Sequence, residues 1–216
     1  MYQLTITPTD AHLPVRLLER LGSAAPSELT TIGNLDLLTL PKTALFCSAR
    51  CPGDAILRTH DQAARWRDEM HCVISGFHSP MEQDCLRILL RGISPVIICP
   101  ARAIPKRLPP SWKQPLAEGR MLILSAFEGT ENRMTAALAE SRNALVAALA
   151  DVHYFAHITP GGHLDKLAQL LKQPRSVGGS PASITQSGQA GRAPLARSVG
   201  GSPAALTKCG HAGRAP

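Results

Sequence analysis

Residues 42–75 read KTALFCSARCPGDAILRTHDQAARWRDEMHCVIS, and this stretch decides the fold class. The apolar run 42–47 predicts a short strand, because it lies between Pro41 and a polar turn that contains Pro and Gly. Over 54–70 the apolar residues return at helical spacing, which predicts an amphipathic helix. The run 71–75 predicts a second strand. Strand, helix and strand in succession indicate a βαβ unit with parallel strands.

The same alternation continues as far as residue 171. Further strands are predicted at 95–100, 120–125 and 152–158, with helices after Ser79, over about 130–150 and over 164–171, and a Pro-rich loop runs on through Pro115. Apolar strands separated by helices predict an α/β fold with a mostly parallel sheet covered by helices on both faces. Such sheets bind ligands beyond the carboxyl ends of their strands, so we expect function in the turns that follow the strands.

Two flanking segments differ from this central region, 42–172. Residues 1–41 carry apolar residues at helical spacing and predict a small helical cap rather than a second domain. Residues 173–216 contain two copies of a 22-residue repeat, 175–194 and 197–216. Gly, Ser, Pro and Ala without hydrophobic periodicity bury too little apolar surface to offset chain entropy, so we expect a disordered tail. The alternative is a basic arm that touches nucleic acid.

The formal net charge of +7 belongs mostly to that tail. Residues 173–216 contain five Lys and Arg and no acidic residue, whereas residues 1–172 contain 18 basic and 16 acidic residues. The predicted domain is therefore nearly neutral, at +2. Binding to nucleic acid has to rest on particular turns of the domain and not on bulk charge.

The expected compartment is the cytoplasm. No apolar run approaches the roughly 18 residues that cross a bilayer, and Met1 is not followed by a secretion signal. The six cysteines form no Cys-x-x-Cys pair, and several lie in apolar strand-like runs. This usage is typical of reduced, buried thiols and not of a disulfide framework.

The first turn, 48–54, leads from a strand into a helix. Backbone N–H groups at a helix start, with the Ser48 hydroxyl and the Arg50 guanidinium nearby, suit a phosphate. Neither a Gly-x-Gly-x-x-Gly nor a P-loop sequence is present, so simple dinucleotide or P-loop binding is unsupported. The alternative is an ordinary strand-to-helix turn capped by Asp54.

The second turn, 75–82, predicts a capping box. Ser79 stands at the N-cap, Pro80 follows, and Glu82 lies three residues after the cap. This leaves Gly76, Phe77 and His78 where an α/β sheet contacts its ligand. A histidine there can donate to a phosphate or stack on a base; the alternative is a surface histidine without a role.

Catalytic candidates do not combine into a constellation. Glu82 and Asp84 are two residues apart on a helix and face different directions, and Cys51 has no identifiable partner base. His153 and His157 fall on one side of a strand, without the sequence context of a metal site. We therefore expect no catalysis, no metal site and no cofactor.

Several of these motifs together resemble the DNA-processing protein A (DprA, or Smf) family. They are Ser48-Ala-Arg50 after the first strand, Ser75-Gly76 after the second and Glu140-Ser-Arg142-Asn143 in the long helix. The second turn, GFHSPME at 76–82, is similar to that of a short subtype of the family. The resemblance extends from about residue 14 to about residue 171.

The resemblance implies a Rossmann-like domain that binds single-stranded DNA or a nucleotide. Family members of the transformation type help to load the RecA recombinase onto DNA, so RecA and a second copy of the chain are implied as partners, and a membrane is not. The DNA- or nucleotide-binding residues that it implies are Ser48, Arg50, Gly76, Phe77, His78, Ser79, Arg142, Asn143, Gly161 and Gly162.

Three other functions remain open at this point. Relatives in the same superfamily sense a nucleotide and signal through oligomerisation. Enzymatic relatives cleave nucleotides as phosphoribohydrolases, but they need Pro-Gly-Gly-x-Gly-Thr-x-x-Glu, and this chain has PGGHLD at 160–165. A purely structural role is the third. A non-catalytic, DNA-binding protein of transformation or recombination is the leading hypothesis.

Overall fold

The computed structural model describes residues 3–7, 9–14, 16–127, 135–172 and 184–186. Its strands are β1 (Leu4–Ile6), β2 (Leu29–Gly33), β3 (Lys42–Cys47), β4 (Cys72–Ser75), β5 (Val96–Ile98), β6 (Met121–Ser125), β7 (Val152–His157) and β8 (Ile184–Gln186). Its helices are α1 (Arg16–Leu21), α2 (Gly53–Asp68), α3 (Pro80–Leu90), α4 (Pro110–Ala117), α5 (Ala136–Leu149) and α6 (His163–Lys172).

The strands form one sheet in the order β1-β2-β6-β5-β4-β3-β7-β8. All pairs from β6 to β8 are parallel, whereas β1 with β2 and β2 with β6 are antiparallel. The five predicted strands are β3 to β7, and the predicted α/β fold with a mostly parallel sheet is confirmed. The chain steps from β3 outward to β6 and then returns to the other side of β3 as β7. The carboxyl ends of β3 and β7 are therefore a switch point, where open α/β sheets bind ligands.

Helices cover both faces of the sheet, as expected. Side chains alternate across the strands, so that Phe46 packs with residues of α1, α5 and α6, and Leu45 packs with residues of α2 and α3. All six residues of β3 are buried, including Lys42 at the amino end. The carboxylate of Asp151 accepts the backbone N–H of Lys42 at 2.9 Å and lies 3.6 Å from its ammonium group, which compensates the buried charge.

The N-terminal segment contains more than the predicted helical cap. Helix α1 is present and buries Leu17 completely, but β1 and β2 also extend the sheet. Strand β2 covers the edge of β6, which would otherwise leave a row of backbone groups unpaired. This antiparallel pairing joins residues about 90 positions apart, and short-range periodicity carries no signal for it.

Two further differences involve proline and the repeat tail. The Pro-rich loop was predicted to run through Pro115, but residues from Pro110 form α4, because proline is well tolerated in a first helical turn. In the tail, which we expected to be disordered, Ile184–Gln186 form β8 beside β7. Ile184 and Thr185 are β-branched, which favours a strand at this open edge. For the rest of residues 173–216, the predicted disorder and its alternative, a basic arm, lie outside the described residues.

Across the described part of the chain, every helix is too short or too polar to cross a bilayer. The five cysteines that the structure describes are all free thiols.

Candidate functional site

Ser48 joins the first and last turns at the switch point. Its backbone N–H donates to the carbonyl of His157 at 3.0 Å, and its hydroxyl oxygen accepts the N–H of Thr159 at 2.9 Å. A hydroxyl that accepts in this way still has its own proton to donate. Ser48 therefore joins the two turns and keeps a hydroxyl proton that it can donate.

Helix α2 begins at this turn without a side-chain cap. Pro52 occupies the N-cap position and makes no capping hydrogen bond, and Asp54 instead pairs with Arg58 at 2.7 Å within the helix. The alternative interpretation, a turn capped by Asp54, is therefore wrong. The Asp54 carboxylate lies within the first turn of this 16-residue helix, where Arg58 and the backbone N–H groups of Asp54 and Ala55 bind it and Arg58 lowers its pKa most. The N-cap position itself offers no side-chain oxygen to the other N–H groups at the positive end of the dipole.

Glu82 organises the second turn. The predicted capping box is confirmed: the Glu82 N–H donates to the Ser79 hydroxyl at 3.3 Å, and the Ser79 N–H donates to the Glu82 carboxylate at 3.1 Å. The carboxylate also accepts the N–H of His78 at 2.8 Å and, with its other oxygen, the N–H of Cys47 at 3.0 Å. One buried carboxylate thus fixes the second turn to the end of β3, a role that local sequence does not reveal.

Phe77 gives the second turn its unusual shape. Its φ is +45°, in the left-handed region that a bulky residue rarely adopts and that costs about 1–3 kcal/mol. Burial of the ring, with 6 % exposed, and an N–H bond to the Ser75 hydroxyl at 3.2 Å hold it there. The next residue, His78, is exposed. Strained backbone of this kind persists where the surroundings fix it, and it often marks a functional site.

Arg142 lies directly beneath Gly76. A Cβ at Gly76 would stand 1.0 Å from Nη1 of Arg142, so only glycine leaves room for the guanidinium. Arg142 is 5 % exposed, its Nη1 donates to the carbonyl of Cys99 at 3.5 Å, and its Nε has no partner among the described residues. Burial lowers the pKa of Arg142, and the Glu82 carboxylate opposes that shift. A buried cation therefore supports the second turn from below.

The two glycines of the last turn, Gly161 and Gly162, form hydrogen bonds within the turn and with the start of α6. Gly161 has a φ of +72° and donates its N–H to the Asp165 carboxylate at 2.8 Å, and Gly162 donates to the carbonyl of Thr159 at 3.1 Å. His163, at the start of α6, binds the Glu140 carboxylate of α5. The two glycines shape the turn, while their N–H groups are already engaged within it.

Arg50 and Asn143 complete the set of residues predicted from the sequence. Arg50 is exposed and forms no salt bridge with a described residue. It lines a groove of about 390 Å³ between the first turn and the starts of α2 and α3, together with Ala49, Cys51, Ile56, Pro80, Met81 and Asp84. Asn143 is half-buried on α5, next to Arg142. The ligand-facing candidates are therefore Ser48, Arg50 and His78, with Arg142 behind them.

Of the catalytic candidates, Glu82 belongs to the capping box, and Cys51 is a half-buried free thiol on the first turn. Burial raises the pKa of the Cys47 and Cys85 thiols, which disfavours the nucleophilic thiolate. His153 is a core residue whose ring N–H donates to the carbonyl of Ala147 at 2.9 Å, and burial lowers its pKa. Within the described ranges, no three His, Cys, Asp or Glu side chains come together as metal ligands.

Comparison with known proteins identifies the family. The model of the DNA recombination-mediator protein A family matches residues 4–203. The chain belongs to this family. The match confirms the resemblance to DprA and extends beyond its expected limits, to include β1 at one end and part of the repeat tail at the other. No curated protein matches the chain.

Two solved structures show the same fold. DNA processing protein A (DprA) from Streptococcus pneumoniae is 19 % identical, with a TM-score of 0.62 over 77 % of this chain and 59 % of that one. DNA processing protein A from Helicobacter pylori, a structure that concerns its single-stranded DNA binding mode, is also 19 % identical, with a TM-score of 0.62 over 80 % of this chain and 77 % of that one. The present chain thus spans well under two thirds of the length of the S. pneumoniae structure.

Proposed function

We propose that this member of the DNA recombination-mediator protein A family binds single-stranded DNA at the switch point between β3 and β7 and catalyses no reaction. The observation that carries the proposal is the position of several anion-binding groups at the carboxyl ends of the neighbouring strands β3 and β4. These are the free proton of the Ser48 hydroxyl, the uncapped start of α2 and the exposed side chains of Arg50 and His78. The H. pylori relative, whose structure concerns binding to single-stranded DNA, supports the same ligand for this chain.

The arrangement suits a phosphodiester backbone. Phosphate oxygens accept from a hydroxyl, from helix-start N–H groups and from a guanidinium, and each charge-assisted hydrogen bond is stronger than a neutral one. Single-stranded DNA also exposes its bases, on which an imidazole such as that of His78 can stack. The buried Arg142 adds positive potential without contacting the ligand, because Gly76 and the second turn lie between it and the crevice.

Several properties support the proposed absence of catalysis and the proposed location in the cytoplasm. Burial raises the pKa of the Cys47 thiol, which disfavours the thiolate that a nucleophilic cysteine needs. Free thiols at the five described cysteines fit the cytoplasm, which we propose as the location. From the family we further propose a contact with a RecA-type recombinase, and a homodimer as the assembly that makes it.

Fluorescence anisotropy with a labelled oligothymidylate, at stated salt concentration, tests the proposal. We expect Arg50→Gln to weaken binding about tenfold, because it removes a charge-assisted hydrogen bond of about 1.5 kcal/mol. Arg65→Gln, which removes an exposed charge from the last turn of α2, is the matched control and should change affinity less than twofold. Binding of the wild type no tighter to single-stranded DNA than to polyglutamate would contradict the proposal.

A further inference from the structure

Positive charge is concentrated in one segment of the domain. Residues 85–117 contain six Lys and Arg and no Asp or Glu, whereas the rest of residues 1–172 contain 12 basic and 16 acidic residues. The segment therefore carries +6 and the remainder of the domain −4. The near-neutral total of +2 hides this separation.

Four of these cations are exposed on the connection from β5 to α4 and on the first turn of α4. They are Arg102, Lys106, Arg107 and Lys113, and we call this stretch, 100–113, the basic loop. None of the four forms a salt bridge with a described residue, whereas Arg58, Arg87 and Arg120 each pair with a nearby carboxylate. Unpaired like charges repel one another, so this surface is complementary to an anion from outside the domain.

The basic loop is held in place although it lacks regular structure before α4. Ala101 is 2 % exposed, and the Ser125 hydroxyl donates to the carbonyl of Arg102 at 2.8 Å. Ile104, Leu108 and Trp112 pack against the core on the face of α2 and α3. Four prolines within 100–110 restrict the backbone further. The loop therefore loses little conformational entropy when a ligand binds it.

The basic loop begins next to the candidate site. The N–H of Cys99 donates to the carbonyl of Ser75 at 2.8 Å, and the Cys99 carbonyl accepts from Arg142 beneath the second turn. Strands β3, β4 and β5 are neighbours, and adjacent strands lie about 4.8 Å apart, so the first turn, the second turn and the loop start within roughly 10 Å of one another. The basic loop therefore starts at the same edge of the sheet as the turns that carry Arg50 and His78.

We propose that the basic loop binds the phosphates of single-stranded DNA where the strand leaves the switch-point site. The inference rests on the proposed function and adds a second contact surface to it. Contacts from flexible Lys and Arg side chains to phosphate carry no sequence information, so the loop adds affinity and salt dependence without specificity. It should act only on a strand long enough to span both surfaces.

The test uses the full chain with Arg102, Lys106 and Arg107 all replaced by Gln. Anisotropy is measured over a range of salt concentrations, with one oligothymidylate of about 20 nucleotides and one of about 4, the lower limit of ordinary single-strand site sizes. The control variant replaces Arg65, Arg91 and Lys172 by Gln, which removes the same charge from exposed positions outside the loop. Thermal melting of both variants checks that they fold.

We expect the loop variant to bind the long strand at least tenfold more weakly at low salt. The slope of log K against log salt should fall by about 2, since each lost phosphate contact on a single strand removes about 0.7. The short strand and the control variant should change less than twofold. An unchanged slope and affinity on the long strand, with normal binding by the wild type, would overturn the role of the loop and leave the proposed function standing.

Two other results would also overturn the inference. If the wild type binds neither oligonucleotide more tightly than polyglutamate, the proposed function is wrong, and the loop has no DNA strand to bind. If the loop variant loses affinity for polyglutamate but keeps its affinity for DNA, the loop is a surface for an acidic protein.

Discussion

Substitution of Gly76 by Ala tests the contact between the second turn and the buried arginine. The new Cβ would stand 1.0 Å from Nη1, 2.0 Å from Cζ and 2.8 Å from Nε of Arg142, so the guanidinium has to move. The arginine is 5 % exposed, which leaves it little room within the packed core. Overpacking of this kind costs about 1–3 kcal/mol, and we expect the free energy of unfolding to fall by that amount.

The same substitution should behave differently once the arginine is gone. In an Arg142→Ala background the space beside Gly76 is free, and the backbone there is not in the left-handed region that only glycine tolerates. Alanine also restricts the unfolded chain more than glycine, which stabilises by about 0.4–1 kcal/mol. Gly76→Ala should therefore be neutral or slightly stabilising in that background. The expected coupling energy is about 1–4 kcal/mol, the difference between the two effects.

Urea unfolding followed by circular dichroism gives the four free energies of this double-mutant cycle. The free energy of unfolding of the double variant is compared with that of the Arg142→Ala single variant, because loss of the buried cation changes stability by itself. A coupling energy close to zero would refute the reasoning, because it would mean that Arg142 moves aside without cost and does not support the turn.

Two further predictions concern buried polar groups. Glu82→Gln should lower the free energy of unfolding by about 3 kcal/mol or more, measured by urea unfolding. The reason is that the carboxylate accepts three backbone N–H groups, and hydrogen bonds to a charged group contribute about 1.5–3 kcal/mol each. The control is Glu69→Gln at an exposed position, which should change the free energy of unfolding little. Burial lowers the pKa of His153, so as the pH falls the unfolded chain binds a proton at this histidine before the folded chain does. The stability of the wild type should therefore decline as the pH falls below about 6.5, the ordinary pKa of histidine. His153→Gln should make that decline shallower in urea titrations from pH 7.5 to 5, and an unchanged decline would show that another group causes it.

Elements with a strong local pattern could be predicted from the sequence. Strands β3 to β7 are short apolar runs bounded by turn residues, and the α3 capping box is written within four consecutive positions, Ser79 to Glu82. In each case the signal lies in residues close together in the chain, although the strands themselves pair with distant partners, as β3 does with β7. The proposed position of the candidate site follows from the same pattern, because ligands of such sheets bind at the carboxyl ends of the strands.

Features that depend on distant partners could not be predicted in this way. Glu82 binds the N–H of Cys47, 35 positions earlier, and Gly76 makes room for Arg142, 66 positions later. The pairing of β2 with β6 is of the same kind. The acid-free segment 85–117 is visible in the sequence, but only the fold shows that Arg102 and its neighbours are unpaired and lie beside the site.

Photo-crosslinking tests the central claim, that the turns at the switch point hold single-stranded DNA. An oligonucleotide that carries 4-thiothymidine would be irradiated with the full chain, and the modified peptides identified by mass spectrometry. We predict crosslinks within 48–51 and 76–79, and we expect unlabelled single-stranded DNA to abolish them by competition. Crosslinks confined to the repeat tail or to the opposite edge of the sheet would contradict the claim.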